Sequence, residues 1–170
     1  VVNLLAARSV YNDCEIALQM LEDETDLRRW RVLWAGAVAL ARTVGHVLRY
    51  VDRPKLKLAA PFIDKRFADW KVGEDHEIFR KFIESERNNI LKEYRFNYHA
   101  ADEVEVLVCR QAISPATGEM IEIHQLIPIG DNIYRPIIEG FREGDDARDV
   151  YADALKWWDQ ELSEIERFGV

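Results

Sequence analysis

Cysteine, methionine and proline are scarce in this chain of 170 residues, with two, two and five copies. The cysteines, Cys14 and Cys109, form no CxxC pair and neither has a histidine beside it in sequence. That excludes a disulfide framework and fits a protein kept in a reducing compartment. Long apolar runs are also missing. The longest charge-free stretch is the ten residues from Val32 to Ala41, half of the roughly 20 a membrane span requires. It predicts a buried core helix and no membrane partner. The chain opens at Val1 with no basic n-region and no cleavage site of small residues, so a cytoplasmic protein is expected.

Several chemistries are excluded in the same way. No GxxxxGK[ST] or GxGxxG loop is present to cradle phosphates, and no GxSxG elbow to present a serine. None of the four histidines (His46, His76, His99 and His124) belongs to an HExxH pair or follows a Glu by three residues. No metal and no cofactor are therefore expected.

What the chain has is apolar mass and acid. Hydrophobic residues make up 48% and include five Trp, six Tyr and seven Phe. That is enough to bury a core and exclude disorder. The formal charge of −8 argues against a protein that coats nucleic acid over its whole surface, and leaves room for a local basic groove.

Periodicity predicts a mainly α protein, a single domain over 1–170. The expected architecture is four long helices with an antiparallel hairpin or three-stranded meander inserted at about 103–138. The first helix runs from about Leu4 to Leu21 on a stripe that includes Cys14, after which Thr25 is the expected cap. The second, about Asp26 to Val51, carries Trp30, Trp34, Ala37, Ala41, Val44 and Leu48 on one face. Its other face is small or apolar, so it is expected to be buried all round, with His46 toward the small side. Short helices follow at about 59–70, and Asp75 is the cap expected for a third long helix to Tyr98. Its arc of Ile78, Phe79, Phe82, Ile83 and Ile90 is interrupted by Glu86, a carboxylate that needs a partner.

The period then changes to two over Glu103–Cys109 and Ile121–Ile127, on either side of turn chemistry at Ser114–Glu119. Ile133–Ile138 is a possible third strand. Ala147, Val150, Tyr151, Ala154, Leu155, Trp158, Leu162 and Ile165 stripe a last helix from about Asp145 to Phe168. The tryptophans outnumber what single helix faces cover, and Trp157 lies off the stripe. A homodimer with these aromatics in its interface is expected.

Arg87-Asn88 inside a long helix, followed by Lys92 and Tyr94, resembles the Arg…His motif of HEPN domains. These are small, commonly dimeric helical bundles, many of them metal-independent ribonucleases of toxin–antitoxin and phage-defence systems. The resemblance implies that Arg87, Asn88, Lys92 and Tyr94 would carry catalysis in a nuclease; Glu86, from its place on the apolar arc, and His46, from its place on the second helix, are the candidate binding residues. The chain departs from the motif at the decisive place. Lys92, Glu93 and Tyr94 hold the positions within about two helical turns of Arg87 where the histidine stands. Arginine stabilises a phosphorane but cannot serve as a base.

The primary expectation is thus a non-catalytic association domain working through a protein partner or RNA. Glu86 and Arg87 are expected to be structurally coupled, with the cation that Glu86 needs coming from Arg87, the second helix or a dimer mate. The alternative is the ribonuclease. A third possibility is a ligand pocket beneath the hairpin using His124, Arg110 and Arg135.

Overall fold

A computed structural model describes residues 5–99, 105–128 and 134–169. The element order is α1 (Ala6–Asp23), α2 (Leu27–Val47), α3 (Ala60–Val72), α4 (Ser85–Asn88), β1 (Glu105–Ile113), β2 (Met120–Pro128) and α5 (Ala147–Gly169). The sequence is thus mainly helical with an antiparallel hairpin before the last helix. Four uniform long helices do not describe it. The expected third helix is a composite, in which a 3-10 turn (Glu74–His76) leads to a π segment (Phe79–Glu84), then α4, then a second π segment (Asn89–Glu93). It stops at Glu93 because Tyr94 adopts φ 52 in the left-handed region. The chain beyond is extended as far as Tyr98, which bridges Ile137.

The caps follow hydrogen-bond chemistry more closely than the expected positions. Asp26, not Thr25, caps α2 by accepting from Arg29 N at 2.9 Å. No side chain caps the 3-10 turn at Glu74–His76, so Asp75 has no such role. Leu5 cannot cap α1. Asp52, at the end of a π turn that continues α2 (Leu48–Asp52), accepts from Ala6 N and Ala7 N at 2.9 Å each. A buried carboxylate thereby satisfies two of the helix-start N–H groups that would otherwise lack partners.

α1, α2 and α5 pack around a tryptophan-rich core. Trp30 and Trp34 stack at 5.3 Å, and Trp34 meets Tyr151 of α5 at 6.0 Å. Cys14 is fully buried on the α1 stripe. Gly45 lets α5 approach α2 closely, since a Cβ there would lie 3.0 Å from Trp158 Cη2 and push the indole by a few tenths of an ångström. α2 is not buried all round, however: Val32 is 67% exposed, and Gly36 is exposed as well.

The aromatics expected at a dimer interface are intramolecular. Trp157 and Trp158 are both buried, and both rings lie within 5.3 Å of Trp70, centroid to centroid. α3 together with the π segment at Phe79–Glu84 supplies the surface that covers them, which removes the motive for an α5 interface.

The hairpin pairs Glu105 with Pro128 through to Ile113 with Met120. No third strand joins it among the described residues. In the expected third strand, Pro136 and Ile137 make isolated bridges to Asp146 and Tyr98, and Ile133 lies outside the described residues, as do Glu103 and Val104 in the expected first strand.

Candidate functional site

Two concave surfaces gather polar side chains around the composite helix. The first is a cavity of about 290 Å³ whose lining includes Lys81, Ser85, Glu86, Asn89, Arg95 and Asn97. Glu86 is 3% exposed. Of the partners expected for its carboxylate, Arg87 supplies none, and the second helix supplies a neutral indole in place of a cation. Oε1 accepts from Trp34 Nε1 at 3.0 Å and from Asn97 N at 3.2 Å, while Arg87 Nη1 donates to its neighbour Asn88 Oδ1 at 3.0 Å. Successive residues on a helix point about 100° apart, so Glu86 and Arg87 diverge and no ion pair forms. Two neutral donors do not offset the loss of water around a full charge. Burial raises the Glu86 pKa above the usual carboxylate range, against the pull of those hydrogen bonds.

This arrangement separates two substitutions. Glu86→Ala leaves the buried Trp34 Nε1 without an acceptor and is expected to cost about 2–3 kcal/mol. Glu86→Gln keeps an acceptor and sheds the charge, so its stability at neutral pH should equal or exceed that of wild type. A raised native pKa gives stability that is full below the unfolded value and is lost as pH rises through the native one. Wild type should therefore fall behind Glu86→Gln over the pH range above the ordinary carboxylate value of about 4.3. Urea midpoints across that range measure it; a wild type that gains on the variant with rising pH would refute the assignment.

The second surface is a cleft of about 190 Å³ between the C-terminal part of α2, α3 and the first π segment, lined by Arg42, His46, Arg49, Tyr50, Lys71 and Glu84 among others. Arg42 and His46 share a face because they are one helical turn apart; Arg49 and Tyr50 follow on the π turn that continues α2. Arg42 pairs with Glu84 at 3.2 Å and lies over the Phe79 ring at 5.4 Å. The guanidinium of Arg49 stands 5.5 Å from the Phe67 ring centroid. His46 stacks on Tyr50 at 6.0 Å with an interplanar angle of 16°. Arg87 adds its charge from the α4 side.

Partial desolvation and then the fields of Arg42, Arg87 and Arg49 lower the His46 pKa. The imidazole is thus neutral near pH 7 and can accept a proton. Burial likewise lowers the pKa of Arg42.

The residues named by sequence scatter relative to this cleft. His46 lines it and Arg87 acts on it electrostatically. Lys92 and Tyr94 are exposed at the far end of the second π segment, where the Arg31 guanidinium lies 5.8 Å from the Tyr94 ring centroid. Asn88 holds Arg87. Arg42, Arg49 and Lys71 were missed because each reads in isolation as an ordinary surface charge. The i, i+4 spacing of Arg42 and His46, continued by Arg49, was the available signal.

The third possibility fails on register. Arg110 pairs with Ile123 and His124 with Cys109, so Arg110 and His124 point to opposite faces. Arg135 is buried, its guanidinium 5.8 Å from a Trp30 ring centroid.

Among the described residues no helix is long and apolar enough to cross a membrane. No protein-family model, curated protein or solved structure matches the chain.

Proposed function

We propose that this is an RNA-binding helical association domain whose phosphate-contacting surface is the cleft around His46. The carrying observation is the concentration of Arg42, Arg49 and Lys71, with Arg87 nearby, against the single carboxylate of Glu84 in a cleft on a chain of net charge −8. Converging cations in a concave, partly desolvated surface focus field on a polyanion even where the whole molecule is acidic. Tyr50, 67% exposed, offers a ring on which an unpaired base can stack. The HEPN-like Arg87 motif supports the same ligand class. Two copies meeting through the exposed Met20 and Val32 face, with α5 uninvolved, complete the proposal; the sedimentation mass of the purified chain reports this.

One observation favours a catalytic second reading. A neutral His46 among arginines can take the proton of a ribose 2′-OH while Arg42 or Arg87 stabilises the phosphorane. The 2′-oxygen then bonds to phosphorus, and the departing 5′-oxygen takes a proton from solvent. This is the metal-independent endoribonuclease.

Fluorescence anisotropy with a labelled single-stranded RNA tests both. Wild type should bind with an affinity that falls steeply with salt. Arg49→Ala should weaken binding uniformly across sequences and reduce the salt slope by about one phosphate's worth. Binding that ignores both salt and Arg49→Ala would sink the proposal. Cleavage in the presence of a chelator, lost in His46→Ala with binding retained, would establish the enzyme over the binding domain.

A further inference from the structure

The hairpin carries a second constellation, independent of the cleft. β1 and β2 are exposed over almost their whole length and pair only with each other among the described residues. A two-stranded hairpin without a packed face is marginal in water, so whatever joins its strands matters. Cys109 and His124 are directly opposed, and Glu122 lies two residues from His124 on the same face. The Cys109 Sγ and His124 Nδ1 atoms are 3.2 Å apart, and His124 Nε2 lies 3.8 Å from Glu122 Oε2. One donor atom from each residue falls within 4.8 Å of the others. Around a tetrahedral zinc ion with bonds of about 2.0–2.3 Å, donors stand about 3.3–3.8 Å apart. A small rotation of exposed side chains closes the difference.

We propose that Cys109, Glu122 and His124 form a surface site for a divalent transition metal of the zinc class, clasping β1 to β2. The donor chemistry selects the metal. A thiolate and an imidazole are poor ligands for calcium or magnesium and good ones for zinc, and three protein ligands leave a fourth position for water. On binding, the Cys109 thiol releases its proton and the sulfur bonds to the metal. The only other cysteine, Cys14, is buried in the core and cannot substitute.

Cobalt(II) is the probe, added to the metal-free full chain under reducing conditions. One equivalent should produce a thiolate-to-cobalt charge-transfer band and tetrahedral visible bands, both erased by added zinc. Cys109→Ser should abolish the charge-transfer band. His124→Ala and Glu122→Ala should each weaken binding by more than about tenfold, the loss that even a supporting hydrogen bond entails. All three side chains are exposed, so unchanged helical circular dichroism will confirm that each variant is folded. A wild type with no charge-transfer band, or a band that survives in Cys109→Ser, overturns the proposal.

Discussion

Glu161→Ala is expected to destabilise the protein by about 3–5 kcal/mol. Glu161 is 4% exposed on α5 and accepts from Arg66 Nε at 2.7 Å, from Arg66 Nη2, and from Trp70 Nε1 at 2.8 Å. Removing it leaves a largely buried guanidinium without its fork partner and an indole N–H without an acceptor. His76 cannot compensate. Its Nδ1 lies 3.6 Å from Glu161 but accepts from Trp157 Nε1 at 3.1 Å. An indole only donates, so the lone pair of that nitrogen is already taken and cannot accept from Trp70 or Arg66 in place of Glu161. Trp158 Nε1 in the same layer is buried without a hydrogen-bond partner, and Arg66 would be left to the exposed Glu164 carboxylate 3.5 Å away. Guanidinium midpoints at constant slope, with near-ultraviolet circular dichroism from the Trp70, Trp157 and Trp158 layer, would measure the loss. A variant within about 1 kcal/mol of wild type would show that α3 is held by apolar contact alone.

Asp146→Ala should follow closely, at about 3–4 kcal/mol. Asp146 caps α5 by accepting from Arg148 N at 2.9 Å. It also accepts from Arg148 Nε at 2.9 Å and Nη2 at 2.7 Å, and from Arg135 N at 2.9 Å. Burial alone would raise its pKa, yet the hydrogen bonds from Arg148 and from the Arg135 backbone hold it below the usual carboxylate range. A depressed native pKa gives stability that is full above the unfolded value and is lost as pH falls through the native one. The gap between wild type and Asp146→Ala should therefore be constant at neutral pH and shrink in acid, below about pH 4. Asp146→Asn, which keeps the cap and loses the charge, should fall between the two. An Asp146→Ala penalty that grows on acidification would refute the account.

The legible part of this protein was its periodicity. The α5 stripe from Ala147 to Ile165 is buried throughout, and the alternation flanking Ser114–Glu119 produced the hairpin. Periodicity says which face is apolar, not what covers it. Trp157 looked surplus because one helix cannot show that Trp70 and Phe79 arrive to enclose it. Glu86 stood out as a violation of the apolar arc, and the second helix was among its expected sources of a partner. Yet the donors are neutral, Trp34 Nε1 and the backbone of Asn97, where a cation was expected.

The clusters around His46 and Cys109 are assembled across elements, which adjacency in sequence does not display. Cys109 and His124 could still have been found. Folding the strands back about the Ser114–Glu119 turn sets position 109 opposite 124, as the register has it.

The link from Asp52 to the start of α1 bears on the order of events during synthesis. The carboxylate that stabilises Ala6 N lies 46 positions downstream. At roughly 5–20 residues per second, about 2–9 s pass between emergence of the helix and emergence of its cap. α1 has 18 residues, near the length at which a lone helix is marginal in water. Its first turn gains these two hydrogen bonds only when α2 has doubled back and delivered Asp52. The start of α1 thus depends on a group made well after it, and the α1–α2 hairpin must close before that helix end is satisfied.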